Sequence, residues 1–251
     1  MELDIISFNI RGWDDSDGNS IAERAPRLNA ITSRYDADII GFQEYCPKWE
    51  EYIVKFYGKE YEILNQYRAE EELESSPILW KRDKFECIGK GRFWFSDTPE
   101  VESKGWDERY DCYRMCLYVI LKHRENEKCF TVMNTHFGFG DKGQVASAKL
   151  LYEYRKMVSP FPTIVIGDFN MRPDSDGYAE MTKYFVDVNA ATKNDLRTTY
   201  HGYHLNKYSA HIDYCFVSEG VKPINQKLID DLFDGKFPSD HYGLHIQVKL
   251  V

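Results

Sequence analysis

The sequence closes one apolar run after another on a carboxylate, an amide or an imidazole. Ile164, Val165 and Ile166 have the composition of a short buried strand, and they lead into Gly167-Asp168-Phe169-Asn170. Asn9 ends the Ile-rich run 3–9, Glu44 follows the run 38–42, His136 follows 128–134, and Asp213 lies in 210–217. The pair Asp240-His241 precedes the alternating run 244–250. Each of these groups alone has an ordinary structural use. Asn9 and Asn170 suit turns, Glu44 or Asp213 a surface ion pair, and His136 a core histidine bonded to backbone. Placed at successive strand ends they share an address, because strands of an α/β sheet commonly deliver their terminal residues to one crevice. Carboxylates with amides and histidines, and no cysteine ligand, suit a hard cation held by oxygen, Mg²⁺ or Mn²⁺, better than zinc. Such a cation, held by one or two carboxylates, takes phosphate oxygens as further ligands, so the matching chemistry is phosphoryl transfer.

The elements that must position these groups follow from periodicity. Residues 3–9 and 38–42 read as core strands. Between them, Ser20-x-x-Glu23 forms a capping box that opens a helix with Ile21, Ala25, Leu28 and Ile31 on one face. Runs 77–80 and 85–88 read as strands, and 113–121 with 128–134 reads as a hairpin across 123–126. A helix is expected over 144–158, with Val145, Ala148, Leu151 and Tyr152 on one side. A short helix near 178–184 precedes a polar stretch and a strand over 210–217. Leu244, Ile246, Val248 and Leu250 alternate strictly, as in a half-buried strand. The charge run 69–76, AEEELESS, reads as a solvated loop, with a place at the rim of a site as the less favoured reading.

At 251 residues, with 43% hydrophobic and 15% aromatic content, the chain has material for one packed domain spanning 1–251. Its net charge of -9 argues against a passive polyanion binder, since non-specific nucleic-acid affinity comes mainly from cationic side chains. The six cysteines include no CxxC pair, and all read as reduced thiols. Cys112 and Cys116, taken as members of one strand, would lie about 13 Å apart, too far to bridge. Acidic residues near the N-terminus and the lack of an apolar run of about 18 residues make a cytoplasmic protein without integral membrane association the simplest expectation.

Ser7-Phe8-Asn9, Gln43-Glu44, Asn134-Thr135-His136, Gly167-Asp168-Phe169-Asn170, Ile212-Asp213-Tyr214 and Ser239-Asp240-His241 occur in the order of the endonuclease/exonuclease/phosphatase superfamily, which the chain resembles over nearly its whole length. That superfamily includes deoxyribonuclease I, abasic-site endonucleases, bacterial sphingomyelinases, inositol-polyphosphate 5-phosphatases and deadenylases. Within it, Phe93-Trp94-Phe95-Ser96-Asp97-Thr98-Pro99-Glu100 and Ser103-Lys104-Gly105-Trp106-Asp107 resemble a group of bacterial metal-dependent hydrolases of unassigned substrate.

The resemblance implies a deoxyribonuclease-I-like α/β fold, a four-layered sandwich of two packed mixed β-sheets flanked by helices. It also implies roles. Glu44 would be the principal metal ligand, helped by Asn9 and Asp240 directly or through water. Asp168 would orient or deprotonate the attacking water, and Asn170 would bind the phosphate or that water. His136 and His241 would flank the phosphoryl group, with Asp213 orienting His136 and Asp240 supporting His241 as well as the metal. Arg114, in what reads as an apolar strand, would reach substrate phosphate; a structural ion pair is its equal rival. The family's usual Arg before Ile-Asp is His211 here, and its usual acid soon after Asn-Thr-His is replaced by Phe137 and Gly138. The expected activity is a Mg²⁺- or Mn²⁺-dependent phosphoesterase using an activated water in line. Its substrate would be a small molecule, a lipid headgroup or nucleic acid, and no protein partner is evident. A nuclease and a non-catalytic phosphate-binding protein on the same fold are the alternatives. Trp94, Trp106 and Tyr110 are candidates for an aromatic rim, with core packing the commoner use of such residues.

Overall fold

The computed structural model describes residues 1–194, 198–204 and 209–251. In chain order the elements are β1 (Glu2–Asn9), α1 (Ile21–Thr32), β2 (Ile39–Gln43), α2 (Pro47–Tyr57), β3 (Tyr61–Leu64), β4 (Ile78–Lys81), β5 (Phe85–Trp94), β6 (Met115–His123), β7 (Cys129–His136) and α3 (Asp141–Val158). After these come β8 (Thr163–Asp168), α4 (Asp176–Met181), β9 (Val186–Asp187), α5 (Val188–Thr192), β10 (Asp213–Val217), β11 (Val221–Ile229) and β12 (Gly243–Leu250). The strands form two six-stranded sheets, ordered β11-β12-β1-β2-β4-β3 and β5-β6-β7-β8-β10-β9. Each sheet is antiparallel except for one inner parallel pair, β1 with β2 and β7 with β8.

Successive strand residues point to opposite faces, and here both faces are covered. Ile5 joins Leu3, Ile39 and Trp80 in a core shared with Leu117, Val132, Ile164 and Ile166 of the other sheet. Ile6 and Phe8 point outward onto Ile21 and Leu28 of α1 and Trp49 of α2. On the far side Met133 and Val165 pack on Ala148 and Leu151 of α3 and Met181 of α4. The result is the expected four-layered α/β sandwich. It explains why the central strands read as continuous apolar runs.

Several expected boundaries shift for local reasons. Helix α1 begins as the capping box requires, with the Ser20 N–H donating to Glu23 Oε2 at 3.1 Å. β5 runs on to Trp94 through a register shift between Cys87 and Gly89, beyond the expected 85–88. Cys112 and Arg114 lie before β6 rather than in it, so Cys112 and Cys116 do not share a strand; all six thiols are free. β10 starts only at Asp213, and part of the polar stretch before it lies outside the described residues. Helix α2 is not among the elements expected from periodicity; Pro47 opens it, and Trp49, Ile53 and Tyr57 bury one stripe. Among the described residues no helix is long and apolar enough to cross a membrane.

Two motif residues turn out to join the sheets. Asn134 of β7 is fully buried; its Oδ1 accepts from Gln43 Nε2 at 2.7 Å, and its Nδ2 donates to Phe42 O and Pro77 O at 2.8 and 2.9 Å. Gly41 makes room for this contact, because a Cβ there would stand 2.4 Å from Ile166 Cδ1 and 2.9 Å from Asn134 Nδ2. Asn134→Leu should therefore lower stability by about 2–4 kcal/mol, since it strands buried polar partners. Urea unfolding followed by circular dichroism reads this, and a loss below about 0.5 kcal/mol, the size of an ordinary surface change, would show that the tie contributes nothing.

Candidate active site

The parallel pairs set the site. Register places Asn9 beside Gln43, the residue before Glu44, and in the other sheet it places His136 beside Asp168. The antiparallel β10 brings Asp213 opposite Asp168. The two sheets meet in hydrogen bonds: Asn9 Nδ2 donates to Glu44 Oε1 at 3.1 Å and to Asp168 Oδ2 at 3.0 Å. Asn9 Oδ1 accepts from the Arg11 N–H, which leaves that oxygen a single lone pair. Glu44 Oε2 accepts from the Gly12 N–H at 3.0 Å, and Glu44 itself stands at φ +57° in the left-handed region. The loop carrying Gly12 is held by Arg24. Its buried guanidinium donates to the carbonyls of Arg11, Trp13 and Asn19 at 2.9, 2.6 and 2.8 Å.

Asp168 is the centre of the cluster. Its Oδ1 accepts from the Asn170 N–H at 2.9 Å, and its Oδ2 lies 3.6 Å from His136 Nε2 and 3.8 Å from His241 Nε2. Gly167 gives close backbone approach, since a Cβ there would be 2.1 Å from Thr135 O. Strand alternation through 164–170 predicts Asp168 and Asn170 on one side with Phe169 turned into the core. Phe169 does point into the core, but alternation is not what brings Asn170 round. β8 ends at Asp168, and Asn170 at φ +50° turns left-handed and fixes its Nδ2 on Phe137 O at 3.0 Å. Asparagine tolerates that conformation better than most residues.

The partners of the two histidines differ from the expected ones. Asp213 Oδ2 is 2.9 Å from Nδ1 of His241, not of His136. His136 Nδ1 instead faces Glu74 Oε1 at 3.2 Å, and Glu74 is held by Arg68 Nη2 at 2.6 Å. The acidic run is therefore not simply solvated: Glu70 and Glu71 are exposed, but Arg68, Ala69, Ser75 and Ser76 are buried and Glu74 turns inward. Nothing in the order AEEELESS singles out Glu74 among its glutamates. Asp240 lies 3.7 Å from Arg11 Nε, and its backbone oxygen accepts from the His201 and Gly202 N–H groups. Arg114 is buried and paired, with Nη2 and Nε 3.0 and 3.1 Å from Asp107 Oδ2. His245, four residues after His241, sits in β12 and bonds Asp4 at 2.9 Å.

These surroundings separate the protonation states. Burial would discharge His241, but Asp213, then Asp168 and Asp240, outweigh it and push its value up to about 10. Burial, with the charges of Arg114 and Arg68 behind it, drives His136 well below the ordinary histidine range. Burial and the Asp213 charge push Asp168 up to about 7, against the pull of His241, the Asn170 N–H and Asn9. A carboxyl near neutrality, one cationic imidazole and one neutral imidazole thus converge on one point.

A model of the Endonuclease/Exonuclease/phosphatase family matches residues 6–241. The chain belongs to this family. Among solved structures of the family, a Bacteroides thetaiotaomicron family protein superposes with a TM-score of 0.90 at 26% identity, over 99% of this chain and 97% of that one. A mannosyl-6-phosphatase of the same organism superposes with a TM-score of 0.87 at 27% identity, over 99% of both chains. An uncharacterised protein of Acanthamoeba polyphaga mimivirus is 30% identical over 180 residues, 67% of each chain. With its family's fold and this cluster, the protein is a hydrolase acting on phosphoester bonds.

Enzymes of this family typically use a divalent metal, and the donor set here fits one. Glu44, Asp168, Asp213 and Asp240 supply hard oxygen atoms; the nearby Cys46 thiol is turned onto Gly12 O at 3.3 Å. Ligand atoms of the buried Asp168, Asp213 and His241 lie within 4.8 Å of one another, close enough to share a metal ion.

Proposed function

We propose that the protein is a Mg²⁺-dependent phosphomonoesterase for a sugar phosphate, cleaving its ester by in-line attack of water. The carrying observation is the convergence of His136 Nε2 and His241 Nε2 on Asp168 Oδ2, at 3.6 and 3.8 Å. Asp168, ionising near neutrality, takes a proton from the attacking water. His241, kept cationic by Asp213, neutralises charge spreading over the phosphoryl oxygens. His136, with Nδ1 donating to the Glu74 carboxylate, presents Nε2 to the same centre, and Asn170 holds water or phosphate beside Asp168. Glu44, Asp240 and the free lone pair of Asn9 Oδ1 would hold the cation, which when bound supplies positive charge to the phosphate. Arg114, already neutralised by Asp107, serves to hold the loop before β6. The likeness to the mannosyl-6-phosphatase along almost the full length of both chains supports the sugar. We also place the protein in the cytoplasm, a compartment that suits six free thiols.

The test is phosphate release by purified protein from mannose 6-phosphate and other hexose phosphates, beside single-stranded DNA and a choline phospholipid. Phosphate should be released from a hexose phosphate, cease with a chelator, and return with Mg²⁺ or Mn²⁺. Glu44→Gln should raise the Mg²⁺ concentration needed for half activity at least about tenfold, while Glu70→Gln leaves it unchanged. Cleavage of DNA without release from any sugar phosphate, or full turnover by metal-free protein, would overturn the reading.

A further inference from the structure

The segment after His136 is bound to the loop before β6. Glu108 N donates to Phe139 O at 2.8 Å, and the Asp107 carboxylate takes the Arg109 and Tyr110 N–H groups on Oδ1 at 2.8 and 2.9 Å. The same segment borders the active site, because Asn170 Nδ2 donates to Phe137 O, and Gln144 Nε2 donates to both Gly138 O and Asn170 O. On this rim the half-buried Phe139 ring is approached by two guanidinium groups, Arg109 at 5.1 Å and Arg114 at 6.0 Å. They differ in charge balance. Arg114 is buried against Asp107, as Arg68 is against Glu72 and Glu74. Arg109 is exposed, and among the described residues no carboxylate lies within ion-pair distance of it.

Arg109 is nevertheless not a free surface arginine. Its guanidinium also lies 5.2 Å from the centre of the Tyr110 ring, and Tyr110 meets Phe139 edge to face at 5.6 Å. Two aromatic rings lie within cation–π reach of this exposed guanidinium, and contacts of that kind lower the ordering cost of binding. In a chain of net charge -9, an arginine set on two aromatic rings, without a carboxylate partner and on the segment that borders the site, suits an oxyanion received in bidentate fashion.

We propose that Arg109, held on Phe139 and Tyr110, is a rim subsite for a second oxyanion of the substrate, a carboxylate or a second phosphate distal to the ester that is cleaved. The proposal rests on the phosphoesterase reading and narrows its substrate to doubly anionic esters. Specificity enters as the ratio of kcat/KM for a doubly anionic ester to that for a plain hexose phosphate.

The experiment compares mannose 6-phosphate with 6-phosphogluconate, which carries a distal carboxylate, and with a hexose 1,6-bisphosphate, in wild type, Arg109→Ala, Arg109→Lys and Lys104→Ala. Lys104, paired with Asp111 at 2.7 Å, controls for loss of one positive charge. In wild type the ratio should be about tenfold or more for at least one of the two probes, the size of one charge-assisted contact. It should fall to near one in Arg109→Ala through KM, recover in part in Arg109→Lys, and persist in Lys104→Ala. Which probe responds distinguishes carboxylate from phosphate. A wild-type ratio near one for both probes, or a ratio that survives Arg109→Ala, overturns the subsite. If no phosphoester is turned over, the proposed function fails separately. Calorimetric titration of the bisphosphate into wild type and Arg109→Ala then reads the subsite directly, and equal affinities overturn it.

Discussion

Asp168→Asn should lower kcat by a factor of about 10³ or more at saturating Mg²⁺ and substrate. Loss of a positioned general base alone costs about 10² to 10⁴ in rate, and the charge balance with His241 is disturbed as well. The same change carries a stability cost. Asp168 accepts from Asn9 Nδ2 and from the Asn170 N–H on different oxygens, and an amide at that position must turn its NH₂ toward one of these donors. A loss of about 1–3 kcal/mol is expected from that mismatch. Rates are therefore to be compared below the unfolding transition of the variant, with circular dichroism confirming the fold. A near-wild-type kcat would remove Asp168 from the chemistry.

The second large effect distinguishes between the two histidines. Asp213 bonds His241 at 2.9 Å and Glu74 faces His136 at 3.2 Å, so each carboxylate should act through its own ring. Asp213→Asn and His241→Ala should each lower kcat by about 10² to 10³, and the double variant should be hardly worse than His241→Ala, because groups that act as a unit lose their function once. Combining Asp213→Asn with His136→Ala should instead multiply the two penalties. The readout is a pair of double-mutant cycles in kcat on one cleaved phosphoester. Multiplying penalties within the Asp213 and His241 cycle would show that the hydrogen bond has no catalytic consequence, whatever its geometry.

Much of this architecture was legible along the chain. The Ile-rich runs, the Ser20 and Glu23 capping box and the strict alternation of Leu244 to Leu250 are local patterns, fixed by side-chain direction every second or every third to fourth residue. The order of motifs likewise named Asn9, Glu44, His136, Asp168, Asp213 and His241, because a polar group at either end of a buried strand is visible one strand at a time. The register and the turns were not legible in this way. β10 enters antiparallel to β8, placing Asp213 opposite Asp168, and His241 returns from a separate loop after β11, so that Asp213 meets His241 and leaves His136 to Glu74. Glu74 is hidden among equivalent glutamates in the sequence; the buried Arg68 pairs with both Glu72 and Glu74, and only the packed loop sets Glu74 against His136. Gln43 and Asn134 have the same residue types as the chemistry-bearing amides, yet they bond each other between the sheets. A residue's type and local period are properties of its own strand, whereas the identity of its partner is set by pairings made across 28 to 91 positions of sequence, and only the packed sheets determine those.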